Sequence, residues 1–152
     1  MSAQILSTAE NLRATVERAQ DGNADIAWLA RFPRKCCNFT ANILLLDLSE
    51  LGVGRLRRMM GTVRDHIGND LETHVWVQSG DFIADITADQ FGQAKVIVEQ
   101  QSSWHDSLHD IKPFIPRQDV VEGISDTEIG RLRALYEQAL GELAPYRPDS
   151  SL

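Results

Sequence analysis

Apolar residues recur along this chain in three different patterns, and each pattern predicts a different element. Near-continuous apolar positions, Ile43, Leu44, Leu45, Leu46, Leu48 and Leu51, cover most of a helix surface and predict a buried central helix from about Cys37 to Leu51, with Gly52 as its stop. Short runs dominated by Val, Trp, Phe, Ile and Thr follow in Leu71-Glu72-Thr73-His74-Val75-Trp76-Val77-Gln78 and Asp81-Phe82-Ile83-Ala84-Asp85-Ile86-Thr87, two strand-like arms around Ser79-Gly80. Near the end, Ile129, Leu132, Leu135, Tyr136, Ala139, Leu140 and Leu143 keep helical spacing behind a capping box, Ser125-Asp126-Thr127-Glu128, and Pro145 and Pro148 close that helix.

Weaker signals fill the rest. Ser7-Thr8-Ala9-Glu10 reads as a capping box with Ser7 as N-cap, opening a helix over about residues 7–20 with Leu12, Ala14 and Val16, and Asp21-Gly22-Asn23 stops it. Asp25 opens a short second helix, and Phe32-Pro33 breaks the chain before the central one. Residues 55–64 read as a strand that partners the hairpin, 66–70 as a loop, Lys95–Glu99 as another strand, and 102–123 as irregular. Helices first, then an antiparallel sheet, then a C-terminal helix make an α+β fold, expected as one domain over 1–146 with a loose tail over 147–152.

Composition narrows the function classes. A chain of 152 residues with 43% hydrophobic and 24% charged residues holds enough apolar material for a core. A net charge of −7 argues against nucleic acid as a partner, and Arg55-Leu56-Arg57-Arg58 is short enough to be a solvated edge. No apolar run reaches the length of a membrane span and no secretory signal opens the chain, so a cytoplasmic location is expected. The adjacent Cys36 and Cys37 close no useful loop as a disulfide, which suits free thiols in a reducing compartment.

The candidate chemistry lies in those thiols and in the hairpin. With Ser79-Gly80 as a two-residue turn, Val77 opposes Phe82, Trp76 opposes Ile83, Val75 opposes Ala84 and His74 opposes Asp85. Opposed residues share a face with Cβ atoms roughly 5 Å apart, so Asp85 is placed to accept from the His74 ring and set its tautomer. Cys36 and Cys37 stand where a helix begins, behind Arg34 and Lys35; a helix N-terminus favours thiolate and offers backbone N–H groups to an oxyanion. Trp104-His105-Asp106-Ser107-Leu108-His109 sets two histidines four apart, a metal-binding spacing on a helix, but with no third ligand a polar loop with a buried Trp104 is the expectation. No metal or other cofactor is expected.

Phe32-Pro33-Arg34-Lys35-Cys36-Cys37 before a Leu-rich helix, then His74-Val75-Trp76-Val77, then Asp85-Ile86-Thr87, resembles the transglutaminase-like branch of the papain-like cysteine enzymes. The likeness covers about residues 30–90, and the Asp-Ile-Thr-Ala-Asp-Gln-Phe stretch is similar to that of small bacterial and phage proteins of this type. It implies a papain-like core, with Cys, His and Asp arriving in that order on a helix and two strands. It implies amide chemistry through a thioester on a peptide, protein or small amide: hydrolysis, deamidation or acyl transfer. Cys37 best matches the family position of the nucleophile, Cys36 is the alternative, His74 is the base and Asp85 its orienting acid. Lys35 departs from the small residue usual near that turn. Asn38, Trp76 and Gln90 are candidates for substrate or oxyanion contacts, and Trp28 is a further one. A catalytically inactive binding or regulatory module of the same fold is the competing expectation.

Overall fold

Ile5, Ala9, Leu12 and Val16 form a stripe along one helix face, and all four are buried. They belong to α1 (Ser2–Gly22), which starts before Ser7 and so leaves the predicted capping box inside the helix. The stripe already runs through Ile5, so apolar packing carries the helix past Ser7, and Ala14 lies on the exposed side. The computed structural model describes residues 2–22, 31–34, 36–80 and 82–114. The expected short helix from Asp25, Trp28, Lys35, the C-terminal helix and the tail lie outside the described residues.

Helix α2 (Cys37–Glu50) begins where the sequence predicted, directly after the Phe-Pro break. It ends before Gly52, whose φ of +84° fits a residue without a Cβ. Its buried side includes Ala41, Ile43, Leu44 and Leu48, together with the polar Thr40, Asn42 and Asp47.

The sheet contains β1 (Arg57–Arg64), β2 (Asp70–Gln78), β3 (Ile83–Asp85), β4 (Ile97–Glu99) and β5 (His109–Pro113), with every pairing antiparallel. The strand order is β4-β3-β2-β1-β5. A 3-10 turn (Ala88–Phe91) lies between β3 and β4, and a one-turn helix, α3 (Ser103–Asp106), between β4 and β5. The segment expected to be irregular therefore carries both α3 and an edge strand. No helix among the described residues is long and apolar enough to cross a membrane.

The hairpin register departs from the predicted one. Val77 pairs with Ala84 and Gln78 with Ile83, where Val77 was expected opposite Phe82. A bond from Ser79 N–H to Phe82 O at 2.9 Å carries the same register one step further toward the turn. With Ser79-Gly80 as the turn, either favoured two-residue form would force Ser79 to positive φ, and the observed register removes that demand. The slip is two residues, so each side chain keeps its face; His74 and Asp85 become diagonal rather than opposed neighbours.

Two clusters result. On one face of the sheet Val75, Val77, Ala84 and Ile86 pack with the buried stripes of α1 and α2. The other holds Met59, Val63, Trp76, Ile83 and Leu108, edged by Phe91 and Trp104. Gly61 pairs with His74 in the ladder. A Cβ on Gly61 would come within 3.0 Å of Leu108 Cβ and 3.2 Å of the Trp76 ring, so glycine is what lets these two approach β1.

Candidate active site

His74 and Asp85 meet as expected. His74 Nε2 and Asp85 Oδ2 stand 2.6 Å apart, with both side chains almost fully buried. An ionised carboxylate only accepts, so the Nε2 proton of His74 points at it. The other ring nitrogen, Nδ1, is buried and makes no hydrogen bond. The neighbour acting on the ring besides Asp85 is the Cys37 thiol. Nε2 is already committed, so Nδ1 is the nitrogen available to that sulfur.

Sequence reasoning weighed His105 only as a metal ligand and missed its place beside Asp85. His105 Nε2 lies 2.7 Å from the same Asp85 Oδ2, and its Nδ1 lies 2.6 Å from Ser102 Oγ. Ser102 is the N-cap of α3, and its side chain also accepts from His105 N–H at 3.4 Å. The second carboxylate oxygen, Oδ1, accepts from Thr87 N–H at 2.9 Å and from the Thr87 hydroxyl at 3.4 Å. The available signal was Ser102 three residues before a histidine flanked by tryptophan, a capped and buried start rather than a loop. His109, in contrast, is exposed on β5, so the two histidines do not share a helix.

The electrostatics follow from this packing. Burial opposes the Asp85 charge, but the charge on His74 and the hydrogen bonds from His105 and His74 outweigh it and hold the carboxyl well below the usual carboxylate range. Burial also opposes a charged His74; the Asp85 charge and hydrogen bond, with the Cys37 thiol behind them, reverse this and raise the imidazole to about 9. Aromatic rings wall the site. The His74 ring centroid lies 5.2 Å from that of Phe91, 5.6 Å from Trp104 and 6.1 Å from Trp76.

The two thiols differ. Cys36 is the N-cap of α2, fully buried, with Sγ 3.1 Å from Arg34 O. Burial first and the charge of Cys37 second push its thiol up to about 11, against a small opposing effect of Arg31. Cys37 is only partly buried and packs at the margin of the helix-side core while acting on His74. Of the two, it is the sulfur beside the imidazole.

The remaining candidates fare unevenly. Asn38 is exposed in the first turn of α2, next to Cys37. Trp76 is 2% exposed, with its indole N–H on Gln78 Oε1 at 3.2 Å and its ring against His105, so it shields the site instead of presenting a face to substrate. Gln90 turns back on its own loop, donating from Nε2 to Thr87 O at 3.0 Å. Within the basic run Arg55–Arg58, Arg58 is buried, donating to Asn42 Oδ1 at 2.6 Å and lying over the Phe114 ring.

Arg13 joins the segments that carry the site, and no sequence pattern marked it. From α1 it donates to Ile86 O at 2.7 Å and to both Asp89 carboxylate oxygens at 2.7 and 2.8 Å, fixing the chain just after Asp85. Its guanidinium also lies 4.6 Å from the Phe32 ring centroid, in the segment that leads to the cysteines.

Ligating atoms of His74, Asp85 and His105 lie within 4.8 Å of one another, a set able to hold a metal ion. Two ligands of one tetrahedral zinc stand about 3.3 Å apart, given bonds of ~2.0 Å. The separations of 2.6 and 2.7 Å are instead those of charge-assisted hydrogen bonds. No family model, no curated protein and no solved structure matches this chain.

Proposed function

We propose that the chain is a cysteine-dependent enzyme of amide chemistry with a papain-like, transglutaminase-like core. The observation that carries the reading is the two-sided use of one buried imidazole: Asp85 holds Nε2, and the thiol of a helix N-terminus adjoins the ring that has only Nδ1 left. The helix-to-strand-to-strand order of Cys37, His74 and Asp85 supports it further.

In this reading the proton of the Cys37 thiol rests on His74, whose imidazole is raised to about 9, so the resting pair is a thiolate and an imidazolium braced by Asp85. The thiolate attacks the carbonyl carbon of an amide. The oxyanion that forms is stabilised by the backbone N–H of Cys37, which lies in the first turn, where an α-helix supplies no partner of its own. His74 then returns its proton to the leaving amine as the C–N bond breaks, leaving a thioester. Water deprotonated by His74, or a second amine, attacks that thioester and frees Cys37. The substrates are peptides, proteins or small amides.

The test uses p-nitrophenyl acetate as the acyl donor. The wild-type chain is expected to acquire one acetyl group on Cys37, released by hydroxylamine as a thioester is. Cys37→Ala should acquire none at that position, and His74→Ala should acylate at least about a hundredfold more slowly. Absence of the adduct in wild type overturns the reading and favours the idle binding module.

A further inference from the structure

We propose that His105 is a positioning residue of this site, held as its Nε2–H tautomer by Ser102 so that it pins Asp85 in the orientation His74 requires. The inference rests on the Cys37 and His74 reading above. Hydrogen-bond accounting carries it. Asp85 Oδ2 receives ring nitrogens at 2.6 and 2.7 Å, and as an acceptor it requires a proton on each. Ser102 Oγ, 2.6 Å from His105 Nδ1, has one proton to give, and Nδ1 is the acceptor within reach. That fixes which nitrogen of His105 bears hydrogen.

A second cation on the same oxygen is unfavourable once His74 is charged, because the two rings lie only 6.2 Å apart in a buried setting. What the site asks of His105 is the Nε2 hydrogen bond, not a second charge.

The consequence reaches Cys37 through Asp85. With Thr87 on Oδ1 and two imidazoles on Oδ2, all the carboxylate's strong partners are fixed, and it cannot swing away when His74 loses its proton. Three elements converge on that carboxylate: β2 through His74, α3 through His105 and the turn after β3 through Thr87. Among the described residues, the charged or titratable groups facing it are His74 and His105, with Cys37 behind His74.

The test measures the iodoacetamide alkylation rate of Cys37 against pH in the full chain. His105→Phe keeps a ring and removes the donor. It should slow labelling about tenfold and move the acid limb of the profile to higher pH, because a carboxylate short of one donor protonates sooner. His105→Gln restores an N–H of similar reach and should recover the rate to within about threefold, with the acid limb back in place. Ser102→Ala deletes one oxygen and leaves the packing, so it keeps the test in force if the Phe variant does not fold. It should give a smaller change in the same direction, since the other tautomer, which has no proton for Asp85, becomes populated. A Gln variant as slow as the Phe variant, or Phe and Ala variants with wild-type rate and profile, would overturn the proposal. His74→Ala separates the two readings: if it labels as fast as wild type, the nucleophile assignment itself fails. If it alone is slow, only the role of His105 fails.

Discussion

The two faces of strand β2 are buried to the same degree by opposite kinds of side chain. Val75 and Val77 point to the helices and join an apolar cluster that needs no partners beyond close packing. His74 and Trp76 point the other way, where a histidine, an aspartate and a second histidine are removed from water. Burying such groups is costly unless every donor and acceptor is matched, and apolar residues of similar volume would fold at least as well. Stability thus accounts for the first face. The second is the arrangement the proposed chemistry calls for, above all because its one unmatched buried side-chain atom among the described residues, His74 Nδ1, belongs to the ring that a thiol adjoins.

The largest test of that contrast is Asp85→Ala. It strips the common acceptor from His74, His105 and Thr87, and is expected to cost about 4 kcal/mol in urea unfolding while also abolishing fast labelling of Cys37. Leu44→Ala, on the apolar face and 1% exposed, is expected to cost about 3 kcal/mol by the same measurement. In the folded fraction it should leave the labelling rate of Cys37 alone.

A pH series sharpens the contrast further. The His74 imidazole is raised to about 9, so its contribution to stability is complete below the ordinary imidazole range and is lost as pH rises through about 9. Asp85 is depressed, so its contribution is present above the ordinary carboxylate range and disappears as pH falls through its folded value. The alkaline loss should be on the order of 2 kcal/mol and should be absent in His74→Phe, but present in Leu44→Ala. Gly61→Ala is the mildest change. The added methyl meets Leu108 and Trp76, so about 1 kcal/mol of destabilisation is expected, with an altered near-ultraviolet dichroism of the tryptophans and little change in far-ultraviolet signal.

Much of the His74–Asp85 contact was legible because strand periodicity is robust. A register error of two residues preserves face, so the wrong turn still put His74 and Asp85 on the same side of the sheet. The start of α2 at Cys37 was legible for a local reason, since Phe32-Pro33 forbids an earlier helix and the Leu-rich run demands one afterwards. The start of α1 was misplaced because a capping box is a local preference, and the buried stripe through Ile5 outweighs it. His105 and Arg13 were not legible. Each reaches the site across the fold, from a one-turn helix and from the polar side of a long one, and periodicity carries no information on which distant carboxylate a polar side chain will meet.

The most direct measurement compares two adjacent atoms in one molecule. Brief iodoacetamide treatment at neutral pH, followed by peptide mapping in a mass spectrometer, should find Cys37 alkylated and Cys36 intact, with the difference lost after denaturation. Equal and slow modification of both sulfurs in the native chain would contradict the account, because it would mean that the imidazole beside Cys37 does nothing to its thiol.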